Sequence, residues 1–154
     1  MAKSLYNQEH MEESIKHFIN SINNQKKFIS YVNPQFKSCD FTNKELVLKF
    51  NIQEWELNPQ NSLHGGITAS VLDTTFGYLA HYFSENRYVT TISLTTNYLK
   101  PIWKNDTIEV HGKIASLGKN IVNLTGEINI PERNIIAATA TASFMILQNK
   151  FYSK

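Results

Sequence analysis

Apolar residues along this chain keep two different periods. Met11, Ile15, Phe18 and Ile22 recur at helical spacing, with Glu12, Glu13 and Lys16 between them. That period predicts an amphipathic helix over about residues 8–28. Pro34 and the 33–39 stretch then break it. Leu46, Leu48, Phe50 and Ile52 alternate with Val47, Lys49 and Asn51, the pattern of a half-buried strand. Pro59 and Asn61 mark a loop. Residues 67–83 are apolar nearly all round, with Ile67, Val71, Leu72, Phe76, Leu79, Ala80 and Phe83, and a helix with so little polar face is expected to be buried.

Four strand-like runs follow, at about 88–99, 106–116, 120–130 and 135–147. Turn signals separate them: Lys100-Pro101 with Asn105-Asp106, then Leu117-Gly118-Lys119, then residues 131–134. The last run is rich in alanine and threonine, and small side chains let a sheet curve closely around a helix. The order is helix, strand, buried helix, then four strands in hairpin succession. Periodicity alone gives the α+β class, which one antiparallel sheet around a central helix would fit.

The junction into the buried helix carries the chemistry. His64-Gly65-Gly66 opens it, and a single carboxylate, Asp73, sits two turns inside. A helix N-terminus offers unpaired N–H groups and a positive dipole end, and glycine lets a ligand come close to them. A carbonyl oxygen that turns negative during acyl transfer needs such donors. A nearby carboxylate serves as nucleophile or general base. Gly65 and Asp73 are eight residues apart, or roughly 12 Å along a helix axis. One helix cannot easily bring both to one carbon. Two copies related by a twofold axis can, so the spacing points to a site shared across a symmetric dimer.

These residues, with Asn58 six positions before His64, resemble the signature of the hotdog-fold thioesterases of the phenylacetic-acid-pathway (PaaI-like) family. The likeness covers about residues 40–147, through residues 90–98, the Lys100-Pro101 turn and the Gly118-Lys119 turn. The resemblance implies a hotdog fold, an antiparallel β-sheet wrapped around a long central helix, with an extra N-terminal helix. Residues 1–39 would be the N-terminal helical segment and 40–154 the hotdog thioesterase domain, one globular unit overall. The implied activity is hydrolysis of an acyl-CoA to a free acid and coenzyme A.

By the same resemblance, the Gly65 N–H faces the oxyanion and Asp73 of the partner chain is nucleophile or base. Asn58 positions the water or the thioester carbonyl, although an Asx turn before Pro59 reads equally well. His64 lines the site, and a lone histidine is more often structural. Thr91 takes the strand position of a Ser or Thr that hydrogen-bonds the carboxylate or water, within a Thr-rich strand where register matters. Gly66 and Lys119 are the candidate substrate-binding residues, Lys119 toward the phosphates of coenzyme A. An exposed turn lysine is the plainer alternative. The family also implies a homodimer at least, and a tetramer built from two dimers.

Composition narrows the rest. Apolar residues make up 42% and charged residues 18% of 154 residues, ordinary for one soluble domain with a real core. A net charge of +2 with scattered lysines gives no footprint for nucleic acid. No apolar run reaches a membrane span, and the opening MAKSLYNQEH lacks a signal-peptide core. Cys39 is the only cysteine, so neither an intrachain disulfide nor a cysteine metal site is possible. The histidines at 10, 17, 64, 81 and 111 lack ligand spacing, so no metal is expected. The expected location is cytoplasmic. No cofactor is expected either, coenzyme A being part of the substrate. A non-catalytic acyl-CoA-binding module and a hotdog hydratase or dehydratase remain alternatives. The acyl group, and coenzyme A against an acyl carrier protein, stay open at this level.

Overall fold

Leu46, Leu48 and Phe50 point one way from their strand and are 0%, 0% and 1% exposed, each such burial being worth about 1.5–3 kcal/mol. They lie on β2 (Glu45–Asn51), one of six strands that the described residues form in a single antiparallel sheet. The computed structural model describes residues 6–148. Residues 1–5 and 149–154, parts of the opening segment and of the domain expected to run to 154, lie outside the described residues.

The other strands are β1 (Gln35–Asp40), β3 (Val89–Tyr98), β4 (Thr107–Leu117), β5 (Ile121–Ile130) and β6 (Ile135–Ile146). Their order across the sheet is β1-β2-β4-β5-β6-β3. The central helix α3 (Gly65–Phe83) packs on β2 through β6, burying Leu72, Phe76 and Leu79 completely. This is the hotdog architecture. Phe76 sits on the facing pair Gly112 and Gly126. A Cβ on Gly126 would lie 2.5 Å from the Phe76 ring and 2.1 Å from the His111 carbonyl, so only glycine allows this approach. Ala137, Ala138, Ala140 and Ala142 on β6 are buried, which lets the sheet close around the helix.

Three features differ from the sequence pattern. First, the opening helix splits. Helix α1 (Gln8–Asn23) is capped by the Asn7 side chain, which accepts from the His10 N–H, and buries Met11, Ile15 and Ile19. The chain turns at Lys26, with φ 51°, into a short helix α2 (Phe28–Val32). Second, the 33–39 stretch is not merely a breaker. It carries β1, which pairs with β2 from Gln35 onward, so the sheet begins ahead of residue 40. Third, β3 and β4 do not form a hairpin. Residues 99–106 hold Pro101 and are tied to Ala137 and Leu63 by backbone bonds, so they run across the end of the sheet. They deliver β4 beside β2, while among the described residues β3 pairs with β6 alone and forms an edge. Among the described residues no helix is long and apolar enough to cross a membrane.

Candidate active site

Helix α3 starts with a cap made by its own preceding residue. His64 is the N-cap at φ −59° and ψ 134°, and its Nδ1 accepts from the Gly66 N–H at 2.9 Å. A bare Nδ1 means that Nε2 carries the ring proton in the neutral imidazole. The His64 carbonyl takes the N–H groups of Ile67 and Thr68. Of the first four helical donors that leaves the Gly65 N–H, which has no acceptor among the described residues. A Cβ on Gly66 would lie 3.1 Å from His64 Nδ1, so a larger residue there would push the capping ring by a few tenths of an ångström. A Cβ on Gly65 would meet only the Tyr98 ring, at an ordinary 3.5 Å. Tyr98, at the end of β3, donates its hydroxyl to the Gly65 carbonyl at 2.9 Å and pins the helix start.

Asp73 lies two turns on and is half-buried. Thr91 donates its hydroxyl to Asp73 Oδ1 at 2.7 Å, and among the described residues nothing donates to Oδ2. The aim of Thr91 has a local cause. Strand β3 bulges between Thr91 and Ser93 against β6. A bulge turns the strand locally and re-aims the side chain beside it.

Two cavities hold these groups separately. One, about 450 Å³, contains Gly65, Asn58, Thr68, Tyr98 and Lys100. The other, about 310 Å³, contains Asp73, Thr91, Gly77, Tyr78, His81 and Phe18. Neither contains both the free N–H and the carboxylate.

The thioesterase superfamily profile matches residues 60–137, half of the chain, and spans the helix cap, Asp73 and Thr91. The chain belongs to the thioesterase superfamily. Its likeness to PaaI proteins is seen in structure too. The Escherichia coli PaaI protein from the phenylacetic acid degradation operon superposes with a TM-score of 0.76 at 17% identity, covering 90% of this chain and 97% of that one. A hypothetical thioesterase from Streptococcus pneumoniae, solved with coenzyme A, gives a TM-score of 0.68 at 18% identity over 77% of this chain and 92% of its own. The Caenorhabditis elegans protein F42H10.6 is 24% identical over 82 residues, 53% of this chain. That match spans 48% of the worm protein, so this chain corresponds to about half of it.

Within this superfamily member the remaining sequence-derived residues fall in different places. Asn58 lines the Gly65 cavity, and its amide makes three hydrogen bonds within its own loop. Its Oδ1 accepts from the N–H groups of Gln60 and Ser62, and its Nδ2 donates to Ser62 Oγ at 2.9 Å. It shapes the loop that leads to His64. Lys119 is exposed on the β4–β5 turn and lines neither cavity.

Three further residues stand at the site. Tyr98, which no sequence motif singles out, fixes Gly65. Glu56 is 2% exposed, accepts from the Gln53 N–H at 2.7 Å, and its backbone carbonyl takes the His64 N–H. Burial pushes the Glu56 carboxyl above its ordinary value of 4.5, and the Gln53 N–H opposes that. Tyr78 buries its hydroxyl without a partner among the described residues, and burial pushes its ionisation well above the ordinary 10. No sequence period distinguishes these three from core or loop residues.

Proposed function

We propose that this chain is an acyl-CoA thioesterase acting as a dimer, with each site joining Gly65 of one protomer to Asp73 of its partner. The observation that carries this reading is the division of the donor and the carboxylate between two cavities on one helix. Either half alone lacks a component of acyl transfer. Among the described residues the ten-residue β3 is an edge strand with one neighbour, and it carries Thr91 on its exposed run. Such an edge is a template for pairing with another strand, and a twofold contact along it would bring a second chain beside Asp73. Two such dimers would make the tetramer that the family resemblance implies. The coenzyme A in the Streptococcus pneumoniae structure supports the choice of thioester carrier.

The chemistry follows from the groups present. The thioester carbonyl accepts from the Gly65 N–H, where the helix dipole favours the developing negative charge. Asp73, held by Thr91, attacks the carbonyl carbon or takes a proton from a water that does. The tetrahedral intermediate collapses by breaking the C–S bond. The coenzyme A thiolate leaves and takes up a proton, and the acid departs as its carboxylate. If Asp73 attacks, an anhydride forms and a water then hydrolyses it. His64 holds the Gly66 N–H and thereby leaves Gly65 as the free donor.

Release of free thiol from a panel of acyl-CoA esters tests the reading. Hydrolysis that falls at least about a hundredfold in Asp73→Asn, as expected for loss of a general base, supports it. A folded protein that binds acyl-CoA but hydrolyses none of the panel would instead be a binding module.

A further inference from the structure

The Asp73 cavity has an end, and a residue outside the 58–73 motif forms it. Asp73, Gly77 and His81 follow one another at four-residue intervals along one face of α3. They run roughly 12 Å from the carboxylate at 1.5 Å per residue. Gly77 has no side chain to block this path, and even a Cβ there would come only to 3.6 Å from Phe144. Ile29 of α2 and Val89 and Phe144 of the sheet supply apolar walls. Asp73 is the one acidic or basic side chain among the residues lining the cavity, His81 aside.

At the His81 end stands Phe18 from α1. Its ring stacks on His81 with centroids 4.7 Å apart and an interplanar angle of 25°. It also meets Tyr78 edge-on at 4.9 Å. His81 is itself fixed, its Nδ1–H donating to the Arg87 carbonyl at 2.7 Å. Beyond Phe18 lies a second cavity of about 210 Å³, lined by Ser14, His17 and Asn86. Phe18, Tyr78 and His81 line both spaces. One ring from the N-terminal helix, propped by two from α3, therefore divides a longer groove in two.

We infer that Phe18 is the end wall of the acyl pocket and sets the longest acyl chain that the enzyme accepts. This rests on the thioesterase reading and names the substrate class of that site: esters of acyl groups whose tail lies along Ile29, Val89 and Phe144 and ends against Phe18. The N-terminal helix is thus a specificity element, and Phe18 acts by excluding longer chains rather than by chemistry.

The test is a linear acyl-CoA series from acetyl to palmitoyl, with wild type, Phe18→Ala and Phe18→Trp. Wild-type kcat/KM should rise with chain length and then break. Phe18→Ala should move the break to longer chains, gaining at most about fourfold for each methylene that now enters the second cavity, which Ser14, His17 and Asn86 help to line. Acetyl-CoA, too short to reach Phe18, is the reference against which the longer chains are scored, and Phe18→Trp should move the break to shorter chains. Phe18→Leu carries the same expectation as Phe18→Ala in milder form if the alanine variant folds poorly.

The same series is measured by calorimetric binding in an Asp73→Asn background. Hydrolysis with a break that ignores Phe18, or a loss equal at all lengths, overturns the inference and leaves the thioesterase reading standing. No wild-type hydrolysis, with a binding break that moves with Phe18, overturns the thioesterase reading and keeps the end wall. No binding and no hydrolysis at any length overturns both.

Discussion

Thr91 donates its hydroxyl to Asp73 Oδ1 at 2.7 Å, joining an edge strand to the middle of the central helix. This bond leaves Oδ2 without a donor among the described residues, and in the proposed reaction Oδ2 is the oxygen that attacks or takes the proton. Thr91→Val keeps the shape and removes the donor. Turnover should fall about 10- to 100-fold, the range of a hydrogen bond to a charged group, with KM little changed. Thr91→Ser should recover most of the loss. A loss of the same size in Thr91→Ser would mean that strand packing, not the hydroxyl, is what matters.

Tyr78 carries a buried hydroxyl with no partner among the described residues. An unsatisfied group of this kind costs about 1–3 kcal/mol. Tyr78→Phe should therefore unfold at a higher denaturant midpoint than wild type, with an unchanged slope. A lower midpoint would show that the hydroxyl is bonded in solution.

Glu56 gives a pH-dependent prediction. Its folded pKa is raised by burial above the ordinary 4.5, so the folded state holds the proton more tightly than the unfolded chain. The stability this contributes is fully present below 4.5 and is lost as pH rises through the folded value. Glu56→Gln stays neutral and can still accept from the Gln53 N–H. Urea unfolding should find the variant matched to wild type near pH 4 and more stable near pH 7. Equal stability at both values, or a less stable variant at pH 7, contradicts the assignment.

Much of this was legible in the residues themselves. The strand runs at 88–99, 106–116, 120–130 and 135–147 match β3, β4, β5 and β6 closely, because alternation and turn residues are local signals. The helix start at Gly65 followed from the glycine pair and the apolar run after it. The place of β3 was not legible, because it depends on where residues 99–106 travel over the sheet, and no local pattern encodes that path. Strand β1 escaped notice because its burial does not alternate. Residues Gln35–Asp40 are half-buried at both ends and exposed in the middle, and pairing with β2 makes them a strand.

The site divided in the same way. Asp73, Gly65 and their spacing were visible as chemistry, and the spacing itself raised the question of a second chain. Thr91 could be named only through a family resemblance, since a run of threonines has no internal mark of register. The bulge beside it, a property of the β3–β6 pairing, aims it at Asp73. Phe18 read as the apolar face of an amphipathic helix. Its part in the pocket exists only because α1 packs against α3.

The central claim is that Gly65 and Asp73 serve one site from opposite chains, and complementation between two inactive variants tests it most directly. Gly65→Pro removes the N–H while keeping the helix, because proline suits the first helical position and His64 already holds the extended backbone a following proline needs. Loss of one oxyanion donor costs about 2.7–4 kcal/mol, so Gly65→Pro alone should be nearly inactive, as should Asp73→Asn alone. In a mixed dimer one site carries both lesions and the other carries neither. Random pairing should therefore restore up to about a quarter of wild-type activity, half the dimers each having one of two sites intact. Mixed dimers verified by native mass spectrometry that recover no activity would contradict the shared site.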